Sequence, residues 1–353
     1  MALRKINGHG HLLPEPHQIP KFMKDKELFW IDEDKKFMRQ KNWSRPITAP
    51  SFFLEEKRAW MQANDIEHTV ILNLSQLYGN GFSRADARAA LQFQNDFNAQ
   101  VQAQYPSEFT TGFVVQPCYL EDALKEIERC VEQHQLSLLC LPTHFLNTQE
   151  QWTSVADPAV FPIYELADHY GLAVQIHPYD GQRMIALQDQ YWRFHLVWMM
   201  AQTADTLHLY TLLDIPNQYP NIRTSFAHGC MLGQANFGRR MQGYLGRPDL
   251  FEGVQSPQAT LGHPNLFFDT LVHDVDTFAL LLKRVGVAQI MAGLDDPYPL
   301  GEMENVPNSY PGKVLDDALA AQLITPEEQQ AIWCANVWQW LGKADPRGQA
   351  VKF

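Results

Sequence analysis

The feature that most constrains this chain is a repeated alternation. Eight short apolar runs, at residues 3–10, 68–74, 109–116, 136–142, 172–177, 222–228, 265–271 and 288–294, are separated by segments with apolar residues every three or four positions. Runs that are apolar throughout are what strands buried on both faces look like, and such strands belong to parallel sheets. The segments 54–64, 84–105, 120–134, 159–170, 194–217 and 275–285 read as amphipathic helices; in the third, Leu120, Leu124, Ile127 and Val131 share one face. Strand and helix alternating eight times, or nearly so, predict an α/β protein, a (β/α)8 TIM barrel of one domain over residues 1–353. Its site would lie at the carboxyl ends of the strands.

Two local signals refine that picture. Thr325, Pro326 and Glu328 mark the start of a last helix as N-cap, first helical residue and capping-box partner, and Gly342 marks its stop. Residues 12–51 are far too many for an ordinary strand-to-helix connection. They are expected to form an insertion or lid over the barrel mouth, carrying Trp30, Trp43 and Arg45.

Composition narrows the class. With 45% hydrophobic and 19% charged residues, the 353-residue chain can bury a substantial core. A formal charge of −12 argues against nucleic acid or an anionic membrane as partner, since both require a basic face. Met1 to Lys5 lead into the first strand with no signal-peptide core, and no run of apolar residues is long enough to span a bilayer. A soluble, cytoplasmic protein is expected. Cys118, Cys130, Cys140, Cys230 and Cys334 are odd in number and match no zinc-ribbon spacing, so reduced, buried thiols are expected.

The chemistry gathers at the strand ends. His9 and His11 end the first strand and, at a period of two, leave it on one face. His177 ends the fifth strand, His228 the sixth, and Asp295 follows the eighth. Any one of these imidazoles alone reads as a satisfied core or surface residue. All of them at carboxyl strand ends read as a metal site of the kind that holds a hydrolytic Zn2+ with a position open for water. Three imidazoles and a carboxylate also suit Mn2+, Co2+ or Fe2+.

The stretches Gly8-His9-Gly10-His11, His177-Pro178-Tyr179-Asp180, Phe226-Ala227-His228-Gly229, Arg247-Pro248-Asp249-Leu250 and Gly293-Leu294-Asp295-Asp296-Pro297-Tyr298-Pro299-Leu300-Gly301-Glu302 carry a resemblance over nearly the whole length. The chain resembles the amidohydrolase superfamily and, within it, the branch of 2-amino-3-carboxymuconate-6-semialdehyde decarboxylases. The resemblance implies His9, His11, His177 and Asp295 as ligands of one Zn2+, and His228 as the base that deprotonates its water. The resulting hydroxide would add to the substrate, and a carboxylate would leave as CO2. Strand four ends Leu141-Pro142-Thr143-His144, without the lysine of binuclear relatives, so one ion is expected. Arg45 and Tyr298 are implied in substrate binding. Arg239 and Arg247 are implied to reach a neighbouring subunit's site, hence a homodimer.

Departures from the family pattern bear on the substrate. Asn7 stands where the family has Asp; His195 replaces a pocket tryptophan, and Asp296 an aromatic, both read as making the pocket more polar. Cys230 follows the His228 motif, near the metal or as an inert buried thiol. Three functions follow: a metal-dependent decarboxylase of a small unsaturated or aromatic carboxylic acid, a lactone or amide hydrolase or hydratase with the same water, or an idle dimeric metal-binding barrel.

Overall fold

The structure, a computed structural model, describes residues 3–179 and 190–347. The expected alternation is present. In chain order the strands are β1 (Lys5–His11), β2 (Trp30–Ile31), β3 (Phe37–Gln40), β4 (Trp43–Pro46), β5 (Ile66–Leu72), β6 (Phe109–Thr111), β7 (Phe113–Val114), β8 (Leu138–Pro142), β9 (His144–Leu146), β10 (Trp152–Ser154), β11 (Ala173–His177), β12 (Arg223–Phe226), β13 (Leu266–Asp269) and β14 (Ile290–Met291). Parallel pairing runs β1-β5-β6 and β7-β8-β11-β12-β13-β14. Gly112, between β6 and β7, donates to Ile71 O at 2.8 Å, so these two are one interrupted strand. At the other edge Gly8 N donates to Ala292 O at 2.8 Å and Leu294 N to His9 O at 3.2 Å, which lays the chain after β14 alongside β1.

The strands alternate between two apolar clusters, as a period of two requires. Leu139 and Leu141 on β8, Val174 and Ile176 on β11, and Leu266 and Phe268 on β13 pack with helix residues such as Ile127, Ile163, Leu207 and Leu281. Leu138, Cys140, Ala173 and Phe267 turn the other way, against Val337, Trp338 and Trp340 of the last helix. Trp340 is fully buried and its Nε1 donates to Val174 O at 3.3 Å. His177 and Asp269 have the parity of Ala173 and Phe267, so the sheet delivers them to the face turned away from Ile127, Ile163, Leu207 and Leu281.

The helices largely follow the predicted spans. Leu54–Ala63, Arg84–Gln104, Leu120–Glu132 and Val275–Val285 match within two residues, and Ser83 caps the second by accepting from Asp86 N. The stretch predicted as one helix over 194–217 divides into a π turn (Phe194–Trp198), Met199–Leu212 and Ile215–Gln218, the last separated by Asp214 in the left-handed region. The terminal helix has its Thr325–Glu328 capping box and left-handed Gly342, but a π turn at Ala331–Ala335 breaks it. The eighth strand is shorter than the predicted 288–294, because a turn occupies Val287–Gln289 and Asp295 adopts φ +51° just beyond. Among the described residues no helix is long and apolar enough to cross a membrane.

Residues 12–51 carry a short helix (Lys21–Asp25) and the antiparallel sheet β2-β3-β4. Leu13, Met23, Phe29, Ile31 and Met38 form a cluster of their own, which includes Leu74, Leu77, Ala90 and Tyr298 of the main body. That shared cluster fixes where β4, and with it Arg45, sits.

The seam between β1 and the end of β14 tolerates no side chain at Gly8, where a Cβ would lie 2.7 Å from Ala292 O. Gly8→Ala is therefore expected to destabilise the fold by about 1–3 kcal/mol, the usual cost of forced overpacking, read as a lower midpoint in equilibrium denaturant unfolding.

Candidate metal centre and active site

His9, His11, His177 and Asp295 are all buried, and one potential ligand atom from each lies within 4.8 Å of all the others. The hydrogen bonds behind the imidazoles settle which nitrogen faces the cluster. His11 Nδ1 lies 3.1 Å from Leu72 O and His177 Nδ1 lies 2.8 Å from Pro178 O; carbonyls only accept, so both Nδ1 atoms carry hydrogen. His9 Nδ1 is 2.8 Å from a carboxylate oxygen of Asp269, which imposes the same tautomer. Three Nε2 lone pairs then converge. His9 Nε2 is 3.2 Å from His11 Nε2, His11 Nε2 is 2.9 Å from Asp295 Oδ1, and His177 Nε2 is buried with no hydrogen-bond partner among the described residues.

Lone pairs facing one another and a carboxylate repel unless positive charge lies between them. A proton serves poorly: burial pushes both His11 and His177 below the ordinary imidazole range, and neighbouring imidazoles add to it. Burial also opposes charge on His9, but its hydrogen bond to Asp269 and the nearby Asp295 raise it above that range. Burial works against ionised Asp295 and Asp269 as well; the imidazoles overcome it and hold both well below the usual carboxylate range. A divalent cation that displaces the proton from His9 fits this donor set of three imidazole nitrogens and one carboxylate.

His228 comes from a turn in which His228, Gly229 and Cys230 all have positive φ, at 57°, 57° and 45°. A Cβ at Gly229 would lie 2.6 Å from Val272, so glycine is required there. The turn is pinned by Asp269, whose second oxygen accepts from Gly229 N at 2.9 Å. It leaves His228 Nε2 3.9 Å from Asp295 Oδ2, and burial pushes the ring down to about 4, neutral at pH 7. His228 Nδ1 is buried without a hydrogen-bond partner among the described residues.

A cavity of about 140 Å³ opens onto this cluster. Its volume matches a ligand about the size of a benzene ring. His11, His177, His228 and Asp295 form its polar end, and Leu74, Met199, Met200, Met231 and Leu271 give it apolar walls. Arg45 lines it from β4; its guanidinium carbon stands 4.5 Å from the centre of the Tyr298 ring, and its Nε is buried without a hydrogen-bond partner among the described residues. Tyr298 and His195 also line the cavity, and the Tyr298 hydroxyl is buried without a hydrogen-bond partner among the described residues.

Three expected residues lie elsewhere, as does the thiol of Cys230. Asp296 is fully buried but outside the cavity lining, its carboxylate turned to Lys57 and Asn7, so it does not make the pocket more polar. Arg239 and Arg247 are exposed, away from the cavity of their own chain, and Arg247 pairs with Asp249 at 2.7 Å. Cys230 is not in the lining either, and burial pushes its thiol up to about 12, as for an inert core residue. Asp180, part of the His177 motif, lies outside the described residues. Sequence reasoning missed Asp269, whose signal was a lone acidic residue closing the apolar run Leu266-Phe267-Phe268, and His273, exposed at the cavity rim.

The sequence model of the amidohydrolase family matches residues 6–336. The chain belongs to that family. Among curated relatives it is 28% identical over 326 residues to the 2-amino-3-carboxymuconate-6-semialdehyde decarboxylase of Dictyostelium discoideum, covering 88% of this chain and 85% of that one. Its fold is that of solved members. The 5-carboxyvanillate decarboxylase of Sphingomonas paucimobilis superimposes with a TM-score of 0.73 at 17% identity, covering 97% of this chain and 100% of that one. The 5-carboxyvanillate decarboxylase of Novosphingobium aromaticivorans, solved with manganese and 4-hydroxy-3-methoxy-5-nitrobenzoic acid, gives 0.74 at 16% identity, covering 97% and 96%.

Because the converging lone pairs are satisfied together by one cation, adding Zn2+ or Mn2+ to chelator-stripped protein is expected to raise the unfolding midpoint, saturating at one equivalent. At a free-ion concentration about 100 times the dissociation constant the gain is about 2.7 kcal/mol. His177→Ala should abolish most of it in differential scanning calorimetry; a midpoint indifferent to metal in the unaltered protein would count against the site.

Proposed function

We propose that the protein is a metal-dependent decarboxylase of a small aromatic or unsaturated carboxylic acid, 2-amino-3-carboxymuconate semialdehyde being the first candidate. The observation that carries this reading is that one ring-sized cavity is lined both by the His11, His177, His228 and Asp295 end and by the Arg45 guanidinium. Its supports are the Dictyostelium relative and the decarboxylases that share the fold. We extend it to the architecture: a single barrel domain over the chain, its parallel strands closed into a (β/α)8 barrel, with residues 12–51 as the lid that brings in Arg45.

His9, His11, His177 and Asp295 would hold the ion, Zn2+ as first choice with Mn2+, Co2+ or Fe2+ as alternatives. When bound, it supplies Lewis acidity and acidifies a coordinated water, for which His228 is the base. Arg45 takes a substrate carboxylate in the two-pronged geometry of its guanidinium and offsets the repulsion from Asp295. The apolar walls hold the ring and exclude water from the bond that breaks. As CO2 leaves, the electron pair stays on the ring or chain carbon, and His228 returns a proton to it.

Arg239 and Arg247, exposed and outside their own cavity, are proposed to serve the site of a second copy in a homodimer. Five unpaired cysteines support a cytoplasmic location, where thiols stay reduced.

The deciding experiment mixes metal-stripped and metal-reloaded protein with freshly generated 2-amino-3-carboxymuconate semialdehyde and a panel of aromatic carboxylic acids, following chromophore loss and CO2 release. Turnover should require the ion, fall about 10²–10⁴-fold in His228→Ala, and show a raised KM in Arg45→Met. Hydrolysis of lactones or amides with no CO2 from any acid would replace this reading with the hydrolase.

A further inference from the structure

The helix Leu54–Ala63 carries a lysine in a place where lysine is rare: Lys57 is 0% exposed. Its ammonium pairs with the carboxylate of Asp296, also 0% exposed, and donates to His11 O at 3.1 Å. The other carboxylate oxygen of Asp296 accepts from Asn7 Nδ2 at 2.6 Å. Asn7 Oδ1 in turn accepts from His9 N at 3.0 Å and from Leu294 N at 3.1 Å. An unbroken chain of bonds thus runs from the helix through the loop after β14 into β1, and each group in it is buried.

The two segments it ties together bear three of the four candidate ligands, His9 and His11 on one, Asp295 on the other. Backbone bonds reinforce the tie, Asp295 N to His9 O at 2.7 Å and His11 N to Asp296 O at 2.8 Å. Asp295 itself sits at φ +51°, in the left-handed region that few residues other than glycine, asparagine and aspartate adopt. The approach is close enough that a Cβ on Gly10 would fall 2.7 Å from Asp296 Oδ1. A buried ion pair is a weak source of stability compared with apolar residues of the same volume, so stability alone does not account for it.

We infer that Lys57 and Asp296, acting through Asn7, are positioning residues: a buried latch that sets the spacing of Asp295 from His9 and His11 and so the affinity for the divalent cation. The inference rests on reading those residues as the metal ligands. It does not depend on which substrate is turned over.

The test measures Mn2+ dissociation constants of the metal-stripped full chain by competition with a chromophoric chelator, with unfolding midpoints alongside. Lys57→Met is expected to lower the midpoint and weaken Mn2+ binding roughly 10–100-fold, the usual effect of removing a group that orients ligands. The double variant Lys57→Met/Asp296→Leu leaves no buried charge unpaired and should recover the midpoint while keeping the weakened binding. A double variant with the midpoint and the Mn2+ affinity of the unaltered protein overturns the latch. If neither variant folds, the near-isosteric Asp296→Asn decides: weakened binding supports the latch, unaltered affinity overturns it. Failure of the unaltered protein to bind Mn2+ overturns the metal reading beneath it, whereas absence of CO2 release leaves these affinities, and the inference, standing.

Discussion

Three imidazoles that have each spent their Nδ1 hydrogen on an acceptor have only lone pairs left to offer, and the centre of this protein is where those lone pairs meet. The acceptors come from three places that only the parallel sheet brings together: Leu72 O at the end of β5, Pro178 O just past β11, and Asp269 closing β13. Each fixes a tautomer and a ring direction at once. Remove the sheet order and the histidines remain, but nothing aligns their Nε2 atoms. The strand ends are thus both the support of the cluster and its source.

The cavity shows a division of labour between the sheet and the rest of the chain. The sheet ends supply its polar end, whereas the arginine in its lining, Arg45, arrives from β4 in the segment 12–51. That segment is positioned by burying its own apolar residues together with Leu74, Leu77 and Tyr298. Tyr298 joins both parts, its ring in the shared apolar cluster and under the guanidinium of Arg45, 5.2 Å from the His11 ring. A chain with a net charge of −12 thereby presents a positive group at the one place where an anionic substrate would need it.

Much of this was legible in the sequence because it follows periodicity. Apolar runs on strands buried on both faces announce a parallel sheet, and His9, His11, His177, His228 and Asp295 stand out as polar residues at the ends of those runs. What stayed hidden depends on long-range pairing. Asp269 looked like the polar end of a strand until its contact with His9, 260 residues away, gave it a role. Lys57 sits in a helix of low amphipathicity between Glu56 and Arg58, where a lysine reads as solvent-facing, and only its approach to Asp296, 239 residues on, shows otherwise. The break after Leu212 and the π turn before Asn336 answer to tertiary packing that no local propensity records.

Asn7 and Asp296, read separately in the sequence, have one physical explanation in the structure. At position 7 an aspartate would still accept from His9 N and Leu294 N, but it could not donate to Asp296, and two carboxylates would stand 2.6 Å apart in a site that water does not reach. Asparagine keeps both acceptances on Oδ1 and turns its amide hydrogens to Asp296. The negative charge of this network lies in the loop after β14, where Lys57 neutralises it. Asp296 therefore belongs with Asn7 and Lys57 behind the candidate ligands, whereas His195 is part of the cavity wall itself. These residues divide accordingly, one set packed behind β1, the other lining the cavity.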